Sequence, residues 1–396
     1  MEFKTIVLLL LSYFISPCMI TAQKKELSQA RSILKSGRGV EQAEQLMTGL
    51  LKDSTNRENK RIYALWYEAV LKQYEAVNEK LYMKQRQDTA QFFELTRRLF
   101  NVAESLDSLD MQPDRKGRID PEYRKQHAEQ LMKFRPNLFF GCTYYIKHSD
   151  FKKAFEFSET YMDCANQPLF TAYRLDSTDT RMAEAAYWAT YCGFRMNDPV
   201  LTLRHRYRAL QDSTKTDFTL QYMAEARRWL KDDSLYLETL LEGFRHYPQN
   251  TYFFPRLMDY YTARGQNEQA LKTVNRVLEI NDSSELYQFA KLTVLFNMGR
   301  YDECIMLCNK LIGQNDTLPD PYYYAGTSYL NKVLKLHPLR NKKEIRKTYQ
   351  EALPYMERYR KLAPNQKQKW APVLYRIYLN LNMGRQFDEI DQLLKS

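Results

Sequence analysis

The chain has 396 residues, of which 44% are hydrophobic and 27% are charged, and its formal net charge is +11. The apolar fraction excludes a chain that is disordered by composition. Low counts of glycine (12) and proline (14) disfavour a fold rich in strands and tight turns, so an all-helical class is the main expectation.

The N-terminal segment has the order of a secretory signal peptide. Lys4 precedes a short apolar run, Ile6–Ile15, and the segment ends at Ile20-Thr21-Ala22. A basic start, an apolar middle and a small-residue cleavage site are typical of such signals. We therefore expect cleavage after Ala22, a mature chain that begins at Gln23, and a location in the periplasm or cell envelope.

Two alternatives for this segment remain open. One is an uncleaved N-terminal anchor, although the apolar run is short for a membrane span. The other is a lipoprotein attached through Cys18. Lipoprotein sites normally have Gly, Ala or Ser directly before the cysteine, where this chain has Pro17. No later stretch is long and apolar enough to predict a second membrane segment.

The segment 24–216 contains helix-period patterns that indicate degenerate helical hairpins. Between Trp66 and Leu109 the helices are expected to be longer than in a regular repeat, and Met111–Ile119 is expected to be a polar loop. Ala183–Leu210 predicts a pair whose second helix is poorly formed. The paired apolar positions of the other hairpins are Ala30 and Leu34 with Ala43, Met47 and Leu50, and Leu138 and Tyr145 with Phe151 and Ala154.

The second half of the chain repeats itself in steps of ~34 residues. These steps predict repeats at 217–250, 251–284, 285–318 and 319–366, followed by a C-terminal pair at 367–396. The clearest unit has its apolar and small residues at Phe254, Leu257, Tyr261, Gly265, Ala270, Val274, Val277 and Ile280.

Two groups of residues resemble the tetratricopeptide repeat (TPR) family. Tyr322, Ala325-Gly326 and Tyr329 match the first helix of that repeat, and the run Gly299–Cys304 matches the start of its second helix. Repeats of this family commonly close with a proline, as at Pro248 and Pro364. The resemblance implies an all-α, right-handed α-solenoid of TPR-like helical hairpins over residues 23–396. It also implies a concave groove, lined by the first helices, that binds a protein or peptide.

Each motif residue has a physical reason. A small side chain at Ala270, Cys304 and Ala352 lets paired helices approach closely. Gly265 and Gly299 permit the turn between the helices of a pair. We therefore expect these positions to be buried junctions and turns.

The helix faces that are not used in packing between helices are candidates for the binding groove. Aromatic side chains dominate them, and such side chains are frequent hot spots because they are large and rather rigid. The alternative is that these rings only pack between helices. The candidate groove residues are Trp229, Tyr252, Asp259, Phe289, Thr293, Phe296, Tyr323, Thr327 and Tyr375.

Tyr329 and Ala352 are farther apart than the repeat requires, which predicts an inserted surface loop. Its basic side chains are Arg340, Lys342, Lys343, Arg346 and Lys347. They could meet acidic lipid head groups, an acidic polysaccharide or acidic residues of a partner. Nucleic acid is not expected, since the chain is predicted to be exported and has no motif for it.

No catalytic or cofactor motif is recognisable. The five histidines show no zinc spacing, and there is no phosphate loop, dinucleotide fingerprint or serine elbow. We expect no enzyme, no cofactor and no metal. Two alternatives stay open: a glycan-associated envelope helper, and an enzyme whose site assembles from distant helices. The cysteines of the mature chain are expected to be free thiols in the core: Cys142, Cys164, Cys192, Cys304 and Cys308.

Overall fold

The computed structural model of the protein describes residues 23–85, 88–113 and 116–395. The predicted signal peptide, including Cys18, lies outside the described residues. Within them every regular element is a helix and no strand occurs. The chain divides into two compact units, the first ending at Tyr236 and the second beginning at Leu237.

The first unit is a series of antiparallel hairpins in which successive helices contact one another. Short 3-10 helices at Ser54–Asn56 and Pro168–Tyr173 interrupt the series. The α-helices are α1 (23–36), α2 (Val40–Leu50), α3 (Lys60–Tyr82), α4 (Thr89–Asp110), α5 (Arg124–Lys147), α6 (Phe151–Asp163), α7 (Leu175–Thr178), α8 (Met182–Arg195), α9 (Pro199–Arg204), α10 (Arg206–Ala209) and α11 (Thr216–Trp229). The boundary between the units falls inside α12 (Asp233–His246).

Side-chain caps explain where several of these helices start. The carboxylate of Asp88 accepts a hydrogen bond from the amide of Ala90 at 2.8 Å, and Asn59 accepts one from Arg61 at 3.1 Å. Each cap satisfies an N–H that has no partner within its helix. The helices that follow, α3 and α4, have 23 and 22 residues. They are longer than in a regular repeat, as expected from the sequence.

The hairpin predicted at Ala183–Leu210 has a broken second helix. α8 is continuous over 14 residues, but its partner is split into α9 and α10 at His205. Asp198 starts α9 by accepting from the amides of Val200 and Leu201, both at 2.9 Å. Both α9 and α10 pack on α8.

The second unit consists of regular helical hairpins. Each predicted span from 251 onwards contains one pair of helices. The pairs are α13 (Phe253–Ala263) with α14 (Asn267–Ile280), α15 (Glu285–Asn297) with α16 (Tyr301–Gln314), α17 (Pro319–Val333) with α18 (Lys342–Leu362), and α19 (Lys367–Leu381) with α20 (Gly384–Lys395).

The small motif residues of these pairs are fully buried. Ala270, Cys304 and Ala352 are 0% exposed. Gly299 has φ +70°, a left-handed conformation that favours glycine and ends α15. All five described cysteines are buried and unpaired.

The inserted segment between Tyr329 and Ala352 differs from the expectation of a loop. Only residues 334–341 are outside α17 and α18, and α18 begins at Lys342. Lys342, Lys343, Arg346 and Lys347 are therefore on the first turns of a helix. The physical reason is that Ile345, Tyr349 and Ala352 recur at helical spacing and pack inward, so the amphipathic pattern extends the helix.

Within the described residues, no helix combines the length and apolarity that a membrane crossing needs.

Candidate ligand-binding surfaces

The first helices of the second unit meet in an aromatic contact between α15 and α17. The rings of Phe296 and Tyr324 are 5.3 Å apart, edge to face at 76°. The hydroxyls of Thr293 and Tyr324 are 3.2 Å apart. Tyr324 also contacts Tyr323, with ring centroids 5.7 Å apart. We call Thr293, Phe296, Tyr323 and Tyr324 the α15–α17 aromatic surface.

This surface combines apolar ring area with polar tips. Its four side chains are only partly buried, so each presents some area to solvent. Burial raises the pKa of Tyr323, with the neighbouring Tyr324 adding to the shift. The Tyr323 hydroxyl is thus a neutral donor at physiological pH. Half-buried rings held by neighbouring rings are already ordered, which lowers the entropic cost of binding a ligand.

Tyr324 was missed by the sequence reasoning, which selected the preceding tyrosine. It belongs to the run Tyr322-Tyr323-Tyr324, in which Tyr322 is buried and the other two are half-buried. The run signals an aromatic surface, but the orientation of each ring depends on how α17 packs on α15.

Thr327 does not belong to the surface, contrary to the sequence-based expectation. It is buried, and its hydroxyl donates to the carbonyl oxygen of Tyr323 at 2.7 Å. Helical spacing places Thr327 on the same side as Tyr323. However, α17 contacts α15, α16 and α18, and Thr327 is one of its eight buried residues.

Two other candidate groove residues, Trp229 and Tyr375, pack on rings outside this surface. Trp229 lies in the first unit, stacked on Phe194 at 5.6 Å with an interplanar angle of 12°. Tyr375 packs on Phe387 within the last hairpin, with centroids 4.8 Å apart.

Three further candidates lie along α13 and α15. The guanidinium of Arg256 lies 3.7 Å above the ring of Tyr252, and Asp259 is exposed on the same helix as Arg256. Phe289 is half-buried on α15, one turn before Thr293, whose hydroxyl donates to the Phe289 carbonyl oxygen at 3.0 Å. Phe289 therefore extends the α15–α17 aromatic surface along α15.

A polar cleft of about 400 Å³ in the first unit was not foreseen from the sequence. Side chains of α4, α6 and the α9–α10 pair converge on it. We call it the Glu104 cleft, and it is lined by Arg97, Asn101, Glu104, Glu156, Glu159, Thr160, Met162, Asp163, Asn166, His205 and Arg208.

Most charges in the Glu104 cleft are paired. Arg97 lies 3.2 Å from Glu156. Glu159 lies 2.5 Å from Arg204 and 3.4 Å from His205. Burial alone would raise the pKa of Glu159, but the hydrogen bonds from His205 and Arg204 outweigh it and lower the pKa.

Glu104 is the exception in this cleft. Its Oε1 atom is buried and has no hydrogen-bond partner among the described residues. Burial raises the pKa of Glu104 to about 7, with the carboxylates of Asp163 and Asp107 adding to the shift. The cleft therefore holds one carboxyl group that is partly protonated at neutral pH beside another, Glu159, that is ionised. No group of side chains in the described part of the chain has the composition of a metal site.

Comparisons with known proteins found similarity at the level of structure only. No family model matches the sequence, and no curated protein matches it. One similar solved structure is the C-terminal part of a TPR repeat-containing protein from Cytophaga hutchinsonii. It has a TM-score of 0.43 and 11% identity and covers 65% of this chain and 93% of that one. Another is a tetratricopeptide repeat protein from Parabacteroides merdae, with a TM-score of 0.35, 16% identity and coverage of 66% and 97%.

Proposed function

We propose that the chain is an exported protein-interaction scaffold that binds a protein or peptide segment in a groove along the first helices of its second unit. The observation behind this proposal is the α15–α17 aromatic surface. It joins two successive hairpins, and contacts with neighbouring side chains hold its rings in place. An extended or helical peptide with apolar side chains fits such a surface, because a row of helix faces is long and narrow.

Binding on this surface can be tested once a partner has been captured with the mature protein from envelope extract. The double variant F289A/Y323A should weaken binding by more than tenfold, since truncating hot-spot aromatics commonly costs about 2 kcal/mol or more. A matched control is Y207A, which removes a tyrosine that is 71% exposed in the first unit. Helicity should be unchanged in both. Normal binding by F289A/Y323A would show that the ligand contacts another surface.

Export is a separate part of the proposal, and it rests on the order of residues 1–22. N-terminal sequencing of the protein from cells should read from Gln23. Recovery of Met1 or of a lipid on Cys18 would contradict cleavage after Ala22.

The Glu104 cleft supports a second candidate function, binding of a small polar ligand such as a glycan fragment. Its lining combines carboxylates, amides and arginines, which can hydrogen-bond several hydroxyls. Titration with envelope oligosaccharides should give a Kd that E159Q weakens at least fivefold. If the titration is followed by calorimetry, identical heat changes for wild type and E159Q would exclude the cleft as the binding site.

A further inference from the structure

Two solvent-exposed leucines precede the basic residues 340–347 of the second unit. Leu334 and Leu339 are 69% and 74% exposed, and both lie in the loop between α17 and α18. Single exposed leucines are ordinary on protein surfaces. Leu334 and Leu339 differ from such single leucines because a run of basic residues follows them directly in the chain. We call residues 334–347 the leucine–lysine segment.

Polar contacts fold the tip of this segment. Nδ1 of His337 accepts from the amides of Leu339 and Arg340 at 3.3 and 3.4 Å. Asn341 and His337 are joined by two hydrogen bonds. The side-chain oxygen of Asn341 accepts from the backbone amide of His337 at 3.2 Å, and the backbone amide of Asn341 donates to the carbonyl oxygen of His337 at 3.0 Å. The turn is therefore defined by hydrogen bonds, and Leu339 stays outside without packing on the hairpin.

The cations at the start of α18 share one helix face. Lys342, Lys343, Arg346 and Lys347 follow the spacing i, i+1, i+4 and i+5, and all four are exposed. The side chains of Lys342, Lys343 and Arg346 form no ion pair within the described residues, whereas Lys347 is 3.9 Å from Glu351. With Arg340, residues 340–347 hold five cations against one anion, Glu344.

Two lysines that precede Arg340 in the chain, Lys332 and Lys335, are engaged differently. Lys332 pairs with Asp302 at 2.6 Å. Lys335 lies 4.7 Å above the ring of Tyr301 and donates to the carbonyl of Gly299. These two residues tie the start of the segment to the preceding hairpin, and the exposed cations that follow them lie at 340–347.

We propose that the leucine–lysine segment docks the protein on an anionic lipid surface, with Leu334 and Leu339 in the interfacial region and the cations of α18 on the lipid head groups. The charge alone would suit any acidic polymer. The two exposed leucines favour lipid, because an interfacial contact combines buried apolar area with attraction to anionic head groups. A polysaccharide chain offers no apolar layer for them.

The test is sedimentation with vesicles of phosphatidylcholine containing phosphatidylglycerol and with vesicles of phosphatidylcholine alone. The full chain is measured beside a version starting at Gln23, which lacks the apolar run Ile6–Ile15 as a competing contact. We expect the Gln23 version to bind the anionic vesicles and not the neutral ones. L334S/L339S should reduce the bound fraction about fivefold, and K342Q/K343Q/R346Q/K347Q should abolish binding.

Matched controls alter the same kinds of side chain elsewhere. L286S/M306S removes two other exposed apolar residues of the second unit, which are 61% and 64% exposed. K52Q/K152Q/K272Q/K310Q removes four exposed lysines at scattered positions. Both should bind as wild type, and circular dichroism should be identical for all variants.

Three results would overturn the proposal. The Gln23 version could fail to bind anionic vesicles, or L334S/L339S could bind them as wild type does. The third is binding to soluble polyglutamate that L334S/L339S leaves unchanged, together with no vesicle binding, which would identify an acidic polymer as the occupant.

Discussion

Gly243 of α12 lies against the ring of Phe253 at the start of α13, closer than any side chain would permit. A Cβ at Gly243 would overlap the ring carbons of Phe253. Phe253 itself is 0% exposed and edge to face with Tyr252 at 5.2 Å. The glycine is thus required by packing between two helices.

G243A should therefore destabilise the protein by about 1–3 kcal/mol, because the buried ring has no space to move into. The matched control is G313A in α16, where an added Cβ meets no atom within 4 Å. It should stabilise slightly, by up to ~1 kcal/mol, because alanine favours the helix. Urea denaturation of G243A and G313A measures the change in the free energy of unfolding of each variant. A G243A protein as stable as G313A would contradict the overlap.

Ala270 and Ala352 lie in the second helices of their hairpins and are 0% exposed. Leucine at either position should overpack the junction and cost about 1–3 kcal/mol. Q350L, two residues from Ala352 on an exposed position of α18, is the control and should change stability little. Thermal melting that is unaffected by A270L and A352L would disprove the assigned repeat frame.

The five described cysteines should remain free thiols. Burial raises the pKa of Cys164 to about 12, so its thiolate population at neutral pH is negligible. We expect slow reaction with a thiol reagent in the native state and five labelled thiols after unfolding. Mass spectrometry that finds two disulfides in the mature chain would contradict this.

Glu104 should make stability fall with pH in the near-neutral range. Its pKa of about 7 in the folded state lies above the ~4.3 of an unfolded chain, so folding favours the protonated form. The stabilisation is complete below the unfolded pKa and is lost as pH rises through about 7. E104Q cannot ionise, so it should exceed wild type in stability above about pH 8, on the order of 1–3 kcal/mol.

The comparison needs two controls. At about pH 4 the E104Q and wild-type proteins should be nearly equal, because Glu104 is then protonated in both states. The exposed Glu58 offers E58Q, which should track wild type at every pH. A constant difference between E104Q and wild type across this range would mean that Glu104 does not titrate as described.

Local sequence patterns were sufficient to predict the hairpins of the second unit. The spans from 251 onwards each enclose one helical pair, and the predicted small positions Ala270, Cys304 and Ala352 are buried. The 3.6-residue period and the turn glycines act over a few residues, so they can be read along the chain. Helical periodicity also predicted that the helices between Trp66 and Leu109 are long and that the partner of α8 is poorly formed.

The candidate sites depended on contacts between residues that are distant in the chain. Thr327 was expected on the groove and is buried because α17 is covered by three neighbouring helices. The Glu104 cleft has no sequence motif, since α4, α6 and the α9–α10 pair contribute to it separately.

The sequence by itself determined the helical class, the repeat period and the residues that must be small or apolar, because these follow from the period of a helix and the burial of one face. Only the tertiary structure decided which side chains face outward together and how their charges interact. Tyr324 meets Phe296, and Glu104 keeps its proton near neutral pH, because helices separated in the chain pack side by side. Packing between helices sets the first outcome, whereas burial and two neighbouring carboxylates set the second. Neither is encoded in local spacing.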